Sequence, residues 1–252
     1  MRIDKYLTEK FGSRTKAAEA IAKGLVKVNG KCVSPSYNFK ESDFLEIIQA
    51  EEQFVSNGGY KLSKAIKDFS FDANGKIFAD IGASNGGFTD CLLQNGAKKV
   101  YCIDVGESQL DKSLLDKNVV VVDNYNARYL KADLFDENLD GVVIDVSFIS
   151  LTYLLGAVAE VLQDKTEVIA LIKPQFECES SSVGKNGIVR SSEVHKKIIR
   201  KIYDFSLSCN LIPVALTTAP IVAGKNVEYL IYLIKGGKNS TPFDKLINGV
   251  TL

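Results

Sequence analysis

The sequence predicts an α/β protein in which a small α+β module precedes a doubly wound, mostly parallel sheet. From residue 76 onwards, continuous runs of Val, Ile and Leu alternate with amphipathic helical segments, as in parallel sheets that helices cover on both faces. Before residue 49, two short helical segments lead into an alternating hairpin pattern. We therefore predict a first domain at residues 1–48, a linker at 49–58 and a second domain at 59–252.

The first domain is predicted to hold two helices and a hairpin. Ile3 and Leu7 form one apolar stripe, and a second helix ends at Gly24. The segment that follows alternates around Asn29-Gly30, a strong signal for a two-residue hairpin turn. The inner face of the second helix is predicted to consist of Ala17, Ala18, Ile21 and Ala22.

The second domain opens with a helix predicted from Gly59 to Phe69, with Lys61 opposite its apolar face. Seven apolar runs follow, and the last two would form an antiparallel hairpin at the edge of the sheet. Residues 236–252 are predicted to be a polar tail. The predicted strands span residues 76–79, 99–104, 119–122, 139–146, 167–173, 211–216 and 227–234.

The composition is that of a soluble globular protein, with 46% apolar and 25% charged residues. No apolar run approaches the ~18 residues of a membrane span, so we expect a cytoplasmic protein with no membrane partner. We also expect a monomer in solution. The five scattered cysteines favour small buried side chains over disulfides. The single histidine, His195, lies in a charged helical stretch without candidate ligands, so we expect an exposed side chain and no metal site.

The net charge is zero, but the basic residues are concentrated at the N-terminus. Residues 1–40 hold nine basic and three acidic side chains, a net charge of +6. A basic end on a neutral chain indicates a nucleic-acid footprint confined to one domain. A solvated surface without a partner is the alternative.

Residues 80–90 form a glycine-rich turn between a strand and a helix. Gly82, Gly86 and Gly87 would let the backbone approach a ligand, and Asp104 ends the next strand, where an acidic residue can accept hydrogen bonds from ribose hydroxyls. Together these features favour a nucleoside-binding turn over a tight connection. The spacing differs from the dinucleotide pattern G-x-G-x-x-G, and Asp80 stands two residues before the first glycine.

Ionisable residues stand at three strand ends where apolar residues would be expected. Asp145 and Lys173 each follow an apolar run, and Glu228 stands at the start of another. The carboxyl ends of parallel strands form the ligand crevice of such sheets, and charges there are costly unless they are paired. We expect a network that includes Lys61; a structural salt-bridge cluster is the alternative.

These motifs resemble known families. The turn at 80–90 resembles motif I of S-adenosylmethionine-dependent methyltransferases, and the N-terminal pattern from Arg2 to Asp43 resembles the S4 RNA-binding domain. The four charged residues match, in order, the Lys-Asp-Lys-Glu tetrad of ribose 2′-O-methyltransferases. The whole chain resembles the TlyA family of ribosomal RNA 2′-O-methyltransferases, whose members are often labelled haemolysin A.

The resemblance implies a Rossmann-like, seven-stranded methyltransferase sheet behind an S4 domain, with S-adenosyl-L-methionine as cofactor. The expected substrate is a cytidine ribose in ribosomal RNA of the large subunit (23S), with 16S rRNA as a further target. The implied catalytic residues are Lys61, Asp145, Lys173 and Glu228. The implied cofactor-binding residues are Asp80, Gly82, Ala83, Ser84, Gly86, Gly87, Phe88, Asp104, Val105, Asn126, Ala127 and Asp145. The implied RNA-binding residues are Arg2, Lys5, Arg14, Lys16, Lys23, Lys27, Lys31, Lys185 and Arg190.

Methyl transfer to a sugar hydroxyl requires alignment of the reacting atoms and easier loss of the hydroxyl proton. Lys173 is our candidate for the second task, either as a neutral base or as a cation that stabilises the developing alkoxide. Lys185 and Arg190 are either substrate contacts or solvated loop charges. Two other functions stay open: a non-catalytic RNA-binding or ribosome-assembly factor, and a membrane-active haemolysin.

Overall fold

A computed structural model of the protein describes residues 1–11, 13–22, 24–40, 42–47, 53–107, 109–115 and 117–250, with the backbone alone at Lys16 and Glu19. The chain divides into two compact units, Met1–Gln53 and Phe54–Leu252. Residues 49–52 of the predicted linker lie outside the described residues. Each unit has its own buried core.

In its described residues, the N-terminal unit has three short helices and a three-stranded antiparallel sheet of order β2-β1-β3. Asn29 and Gly30 have φ angles of 53° and 75°, as a two-residue hairpin turn between β1 and β2 requires, which confirms the predicted turn. The helices are α1 (Ile3–Tyr6), α2 (Thr8–Phe11) and α3 (Arg14–Ala22), and the strands are β1 (Val26–Val28), β2 (Lys31–Cys32) and β3 (Leu45–Ile47).

The core of this unit includes Ile3 and Leu7, as predicted. On α3, Ala17 and Ile21 are buried, but Ala22 is exposed and Ala20 takes its place inside. The prediction for Ala22 was wrong because residues three and four apart share a helix face, so Ala17 lines up with Ala20 and Ile21.

The second unit is a seven-stranded sheet of order β6-β5-β4-β7-β8-β10-β9, parallel except for β10. Its strands are β4 (Ile77–Ile81), β5 (Lys99–Ile103), β6 (Val119–Val122), β7 (Gly141–Ile144), β8 (Glu167–Ile172), β9 (Leu211–Thr218) and β10 (Tyr229–Lys235). Its helices are α4 (Asn57–Phe69), α5 (Gly87–Gln94), α6 (Leu155–Val161), α7 (Pro174–Glu177), α8 (Ser192–Ser208) and α9 (Phe243–Ile247).

Both faces of this sheet are covered, which confirms the doubly wound fold. One core cluster joins the sheet to α6, α8 and α9, and the other joins it to α4 and α5. Every residue of β4 and β7 is buried, which is why those strands read as continuous apolar runs.

The predicted antiparallel hairpin of the last two strands is present, but only one of its two strands lies at the edge of the sheet. β10 pairs antiparallel with both β8 and β9, so it lies inside the sheet and β9 forms the edge. The register places Tyr229 opposite Ile172, which brings the beginning of β10 to the carboxyl end of β8.

The prediction of a polar tail at residues 236–252 was wrong, because α9 packs into the core. Phe243, Leu246 and Ile247 are at most 7% exposed. The ring of Phe243 lies beside Tyr203, and the guanidinium carbon of Arg200 is 3.6 Å from its centroid. A helix of five residues with three apolar positions is too short to show a clear helical period in sequence.

Two further expectations are corrected. His195 was expected to be exposed, but it is 3% exposed, because it shares the inner face of α8 with Ile198, Ile199 and Ile202. Cys32 was expected to be buried and is exposed on the short strand β2. Among the described residues no group of three or more His, Cys, Asp or Glu side chains is arranged to hold a metal ion.

We expect Phe243→Ala to lower the free energy of unfolding by about 3 kcal/mol, because the change leaves a cavity under a buried ring. Urea unfolding followed by circular dichroism measures this loss. Lys245→Ala, at an exposed position of the same helix, is the control and should change stability by no more than about 0.5 kcal/mol. Equal effects of the two substitutions would contradict the packing of α9.

Candidate active site

The glycine-rich turn joins β4 to α5 at the carboxyl edge of the sheet. Gly82 has a φ of 84°, and a Cβ atom there would lie 2.6 Å from the carbonyl oxygen of Asp145. Gly86 has a φ of 86° and packs against Leu110 and Leu114. Glycine is therefore required at both positions: at Gly82 by the approach of β7, and at Gly86 by close packing.

Asp80 lies beneath this turn and has no exposed surface. One of its oxygens, Oδ2, accepts hydrogen bonds from the Thr89 backbone N–H at 2.9 Å and hydroxyl at 2.7 Å. The other, Oδ1, has no hydrogen-bond partner among the described residues. Burial raises the pKa of Asp80 to about 7, the Thr89 hydrogen bonds oppose the rise, and the charge of Asp145 adds to it. Asp80 thus holds the first turn of α5 in place.

Asp104 lies at the rim, where two loops meet. Its Oδ2 accepts a hydrogen bond from the Ser84 N–H at 2.9 Å, and its Oδ1 accepts one from the Gly106 N–H at 3.0 Å. The carboxylate is therefore fixed in direction by backbone groups of both loops, and it lines an open cavity. A carboxylate held in this way is suited to accept hydrogen bonds from a ligand.

Two adjoining cavities of about 170 and 560 Å³ lie at this edge of the sheet. They share Gly82, Ser84, Asp145 and Ser147. The smaller is lined by Ser56, Gly58, Gly82, Ala83, Ser84, Asn85, Gly87, Phe88, Asp145, Ser147 and Lys173. The predicted residues that line the larger are Gly82, Ser84, Asp104, Val105, Asn126, Ala127 and Asp145. Of the predicted cofactor-binding residues, Asp80 and Gly86 line neither cavity.

The four charged residues form two ion pairs at the same edge. The ammonium nitrogen of Lys173 is 2.5 Å from Asp145 Oδ1 and donates a hydrogen bond to the Ser147 hydroxyl at 2.9 Å. The Lys61 ammonium is 2.7 Å from Glu228 Oε2. These side chains are between 11% and 24% exposed, so each pair is largely shielded from water.

The sheet register brings the two pairs to one place. Tyr229 pairs with Ile172, so the antiparallel register continued by one residue sets Glu228 opposite Lys173. The beginning of α4 also approaches Asp145, since a Cβ atom on Gly58 would be 3.6 Å from Asp145 Oδ2. Lys61 lies one turn further along this helix.

A buried carboxylate outside the predicted site residues links the segments that follow Asp145 and Lys173. Glu177 is 7% exposed and accepts hydrogen bonds from the Ser150 hydroxyl at 2.5 Å and the Leu151 N–H at 2.7 Å. Lys201 of α8 is 3.2 Å from the same carboxylate. The loop after Asp145 is thereby tied to the helix after Lys173. In sequence, Glu177 is one of many acidic residues, and no motif distinguishes it from the others.

Phe148, in the loop after Asp145, was also not assigned a role. Its side chain is 90% exposed, and its φ of 64° is rarely adopted by an aromatic residue. The ring stands 5.0 Å from that of Phe176, at the border of the larger cavity. An exposed aromatic ring beside paired charges offers a stacking surface for a planar ligand.

The predicted RNA-binding residues of the N-terminal unit include two arginines that share one partner. Arg2 donates hydrogen bonds to both Asp4 oxygens, at 3.1 and 2.8 Å, and Arg14 donates to Asp4 Oδ2 at 3.1 Å. Asp4 is 3% exposed, and chiefly the Arg2 hydrogen bonds lower its pKa to about 2, while burial opposes this. Both arginine side chains are about half exposed.

The other predicted RNA-binding residues are spread over the two units. Lys5 and Lys31 are exposed and Lys27 is half-buried, whereas Lys23 lies outside the described residues and the side chain of Lys16 is not described. In the second unit, Lys185 and Arg190 are exposed in the loop before α8.

Comparison with protein families identifies both units. A model described as FtsJ-like methyltransferase matches residues 54–235, more than half of the chain, and a model described as S4 domain matches residues 1–45. The chain belongs to the FtsJ-like methyltransferase family. The seven-stranded sheet confirms the predicted methyltransferase fold, and the S4 domain is N-terminal, as predicted.

Relatives of this methyltransferase confirm the TlyA resemblance. Hemolysin A of Brachyspira hyodysenteriae is 40% identical over 93% of this chain and 100% of its own length. The 16S/23S rRNA (cytidine-2′-O)-methyltransferase TlyA of Mycobacterium tuberculosis is 34% identical over 88% of this chain and 84% of its own. A crystal structure of a candidate hemolysin from Lactococcus lactis is 42% identical, with a TM-score of 0.73 over 79% of this chain and 98% of its own.

Two of these relatives carry the name hemolysin. Across the described part of the chain, every helix is too short or too polar to cross a bilayer.

The buried carboxyl of Asp80 generates a pH prediction. Its pKa in the folded protein is about 7, against an ordinary value of 3.8, so between pH 4 and 7 the folded state keeps a proton that the unfolded state has lost. Raising the pH through this window therefore destabilises the fold, by at most about 1.4 kcal/mol per pH unit. Urea unfolding of the wild type and of Asp80→Asn at pH 5 and pH 8 measures the difference.

The wild type should lose more stability than Asp80→Asn between these two pH values, because asparagine does not titrate. Parallel losses in both proteins would show that Asp80 is already ionised in the fold at pH 5.

Proposed function

We propose that this protein transfers a methyl group from S-adenosyl-L-methionine to the 2′-hydroxyl of a cytidine ribose in ribosomal RNA. The observation that carries the proposal is that the Lys173–Asp145 pair lines a cavity at the carboxyl edge of the sheet, where the sheet register brings the Lys61–Glu228 pair next to it. Membership of the FtsJ-like methyltransferase family and the N-terminal S4 domain support it. The substrate follows from the TlyA relative, which is named for this reaction on 16S and 23S rRNA.

The two cavities fit the cofactor in size and in chemistry. Ligand pockets of about 300–1,000 Å³ are typical for molecules of this size, and the larger cavity alone has about 560 Å³. In this proposal Gly82, Ser84 and Gly87 hold the methionine end, and Asp104 accepts hydrogen bonds from the ribose hydroxyls. The adenine lies against the segment from Asn126 to Ala127. When bound, S-adenosyl-L-methionine supplies a methyl group that its sulfonium sulfur already activates.

Lys173 is the residue proposed to act on the ribose hydroxyl. Its side-chain nitrogen lies 2.5 Å from Asp145 Oδ1, so this ion pair fixes the position of the group. As a cation, Lys173 would orient the hydroxyl and stabilise the negative charge that develops on its oxygen as the hydroxyl proton leaves. The Asp145 carboxylate, in contact with Lys173, is an acceptor for the proton that leaves.

The second pair, Lys61 with Glu228, is proposed to orient the ribose next to the first. Both groups stand at the ends of rigid elements, Lys61 in the second turn of α4 and Glu228 directly before β10. Placement on such elements restricts the geometry of a site more than placement on loops does. A substrate held between two fixed ion pairs would lose little freedom in reaching the transition state.

A target nucleotide must leave its stack for its ribose to reach this edge of the sheet. The exposed ring of Phe148 is proposed to stack on the extruded base, as aromatic side chains do in recognition of unstacked RNA bases. The cations of the S4 domain are proposed to contact phosphates, which positions the RNA without reading its sequence.

The catalytic proposal predicts that Lys173→Ala lowers methyl transfer at least 1,000-fold, while cofactor affinity changes by no more than about threefold. Lys76→Ala is the matched control, because Lys76 pairs with Glu167 at 3.0 Å at the opposite, amino edge of the sheet. Single-turnover transfer of labelled methyl groups to ribosomal RNA measures activity, and calorimetry measures cofactor binding.

Turnover retained by Lys173→Ala would remove this residue from the reaction. A wild type that binds cofactor and RNA but transfers no methyl group would instead favour the non-catalytic alternative. Mapping of 2′-O-methyl marks in both subunits, in cells with and without the protein, identifies the target nucleotide.

The S4 domain generates a prediction in which two effects have opposite signs. Asp4→Asn removes a negative charge, which by charge alone would strengthen RNA binding. We expect weaker binding, by about threefold to tenfold, because Asp4 holds the guanidinium groups of Arg2 and Arg14 in place. Binding measured over a salt series should also lose up to about one unit of slope.

Glu9→Gln is the control, because it removes the same charge from an exposed position of the same unit and should not weaken binding. Arg2→Lys tests the geometry separately, since lysine keeps the charge but cannot form the two-pronged contact with Asp4. Tighter binding by Asp4→Asn would show that charge, and not orientation, governs this surface.

A further inference from the structure

The segment between α7 and α8 contains a tight loop that presents two cations. The Gly184 N–H donates to the Ile188 carbonyl at 3.0 Å, and the Gly187 N–H donates to the Gly184 carbonyl at 3.1 Å. Asn186 and Gly187 both have positive φ, at 66° and 73°. Lys185 and Arg190 are exposed on this loop. Its backbone is folded back on itself by its own hydrogen bonds.

His195 anchors the end of this loop from inside the protein. Its Nε2 lies 2.9 Å from the carbonyl oxygen of Val189, and its Nδ1 lies 2.7 Å from the hydroxyl of Tyr229. A carbonyl oxygen only accepts, so Nε2 carries the proton; in a neutral imidazole Nδ1 is then the acceptor and Tyr229 the donor. His195 is 3% exposed and Tyr229 is fully buried, so water does not compete for these bonds.

Asn226 provides a second anchor. Its Oδ1 accepts a hydrogen bond from the Val189 N–H at 2.8 Å, and its Nδ2 donates to the Gly187 carbonyl at 2.8 Å. Asn226 and Tyr229 stand on either side of Glu228, the partner of Lys61. Two hydrogen bonds from Asn226 thus tie the loop directly to the segment that carries Glu228, and His195 of α8 ties it there indirectly, through Tyr229.

We propose that His195 is a positioning residue that, with Tyr229, holds Lys185 and Arg190 where they receive RNA phosphates next to the target ribose. This inference rests on the proposed function. It adds a role for the loop in RNA binding and names the residues that hold the loop in position. A cationic loop needs no buried imidazole if it is merely solvated. Here both ring nitrogens of the buried His195 have hydrogen-bond partners, one in the loop and one in the strand that follows Glu228. The position of the loop is therefore coupled to that of the site.

The test uses Tyr229→Phe, which removes one hydroxyl oxygen and leaves His195 Nδ1 without its donor. We expect the KM for ribosomal RNA to rise about fivefold to tenfold, the cost of one lost buried hydrogen bond, with kcat within twofold and cofactor affinity unchanged. Tyr203→Phe is the matched control. It removes the hydroxyl of another buried tyrosine, whose donation to the Thr241 carbonyl lies away from the loop.

A double-mutant cycle separates positioning from general stability. If Tyr229 acts through the loop, Tyr229→Phe should add little to the KM of a protein that carries both Lys185→Ala and Arg190→Ala, because both cations that it positions are already gone. Additive effects on KM, or a fall in kcat and cofactor affinity together, would overturn the proposal. His195→Gln keeps a donor for the Val189 carbonyl and should retain more RNA affinity than His195→Leu.

The single histidine also allows a test that needs no activity. Nitrogen-15 spectra of the labelled protein should show one imidazole in the Nε2–H tautomer, and Tyr229→Phe should perturb its Nδ1 resonance. The Nδ1–H tautomer would contradict the bonding scheme. A wild type without methyl transfer would refute the proposed function and leave this tautomer result valid, so the two failures are distinguishable.

Discussion

The close approach of Gly82 to the Asp145 carbonyl is the contact on which the site depends. It joins the ends of the neighbouring strands β4 and β7. One backbone contact therefore fixes both the turn that lines the cavity and the carboxylate that pairs with Lys173. A side chain at Gly82 would separate them. Because both strands are fully buried and paired in parallel, their ends cannot shift independently of the sheet.

The two units differ in how their charged side chains are paired. At the sheet edge, each lysine faces one carboxylate and both are mostly shielded from water, as buried charges require. In the N-terminal unit, one buried carboxylate faces two half-exposed arginines, so the local charge stays positive and part of each guanidinium is free to face solvent. The first arrangement suits chemistry on a bound group, and the second suits binding of a polyanion.

Patterns with a strong local cause were predicted well. The continuous apolar runs predicted buried parallel strands, and Asn29-Gly30 predicted its hairpin, because only a few residues tolerate two positive φ angles in succession. Phe243 and His195 were misjudged for the opposite reason. A short helix among polar residues and a histidine among lysines both look solvated, and their burial results from packing against distant parts of the chain.

The sequence by itself determined the order of elements, the glycine-rich turn and the identity of the four charged residues, because each stands at a strand end or helix start that local pattern reveals. Only the tertiary structure decided which lysine pairs with which carboxylate, that Asp80 supports the turn from below, and that Glu177 and His195 brace the loops. These contacts join residues far apart in the chain, and their partners are chosen by sheet register and burial, which no local pattern encodes.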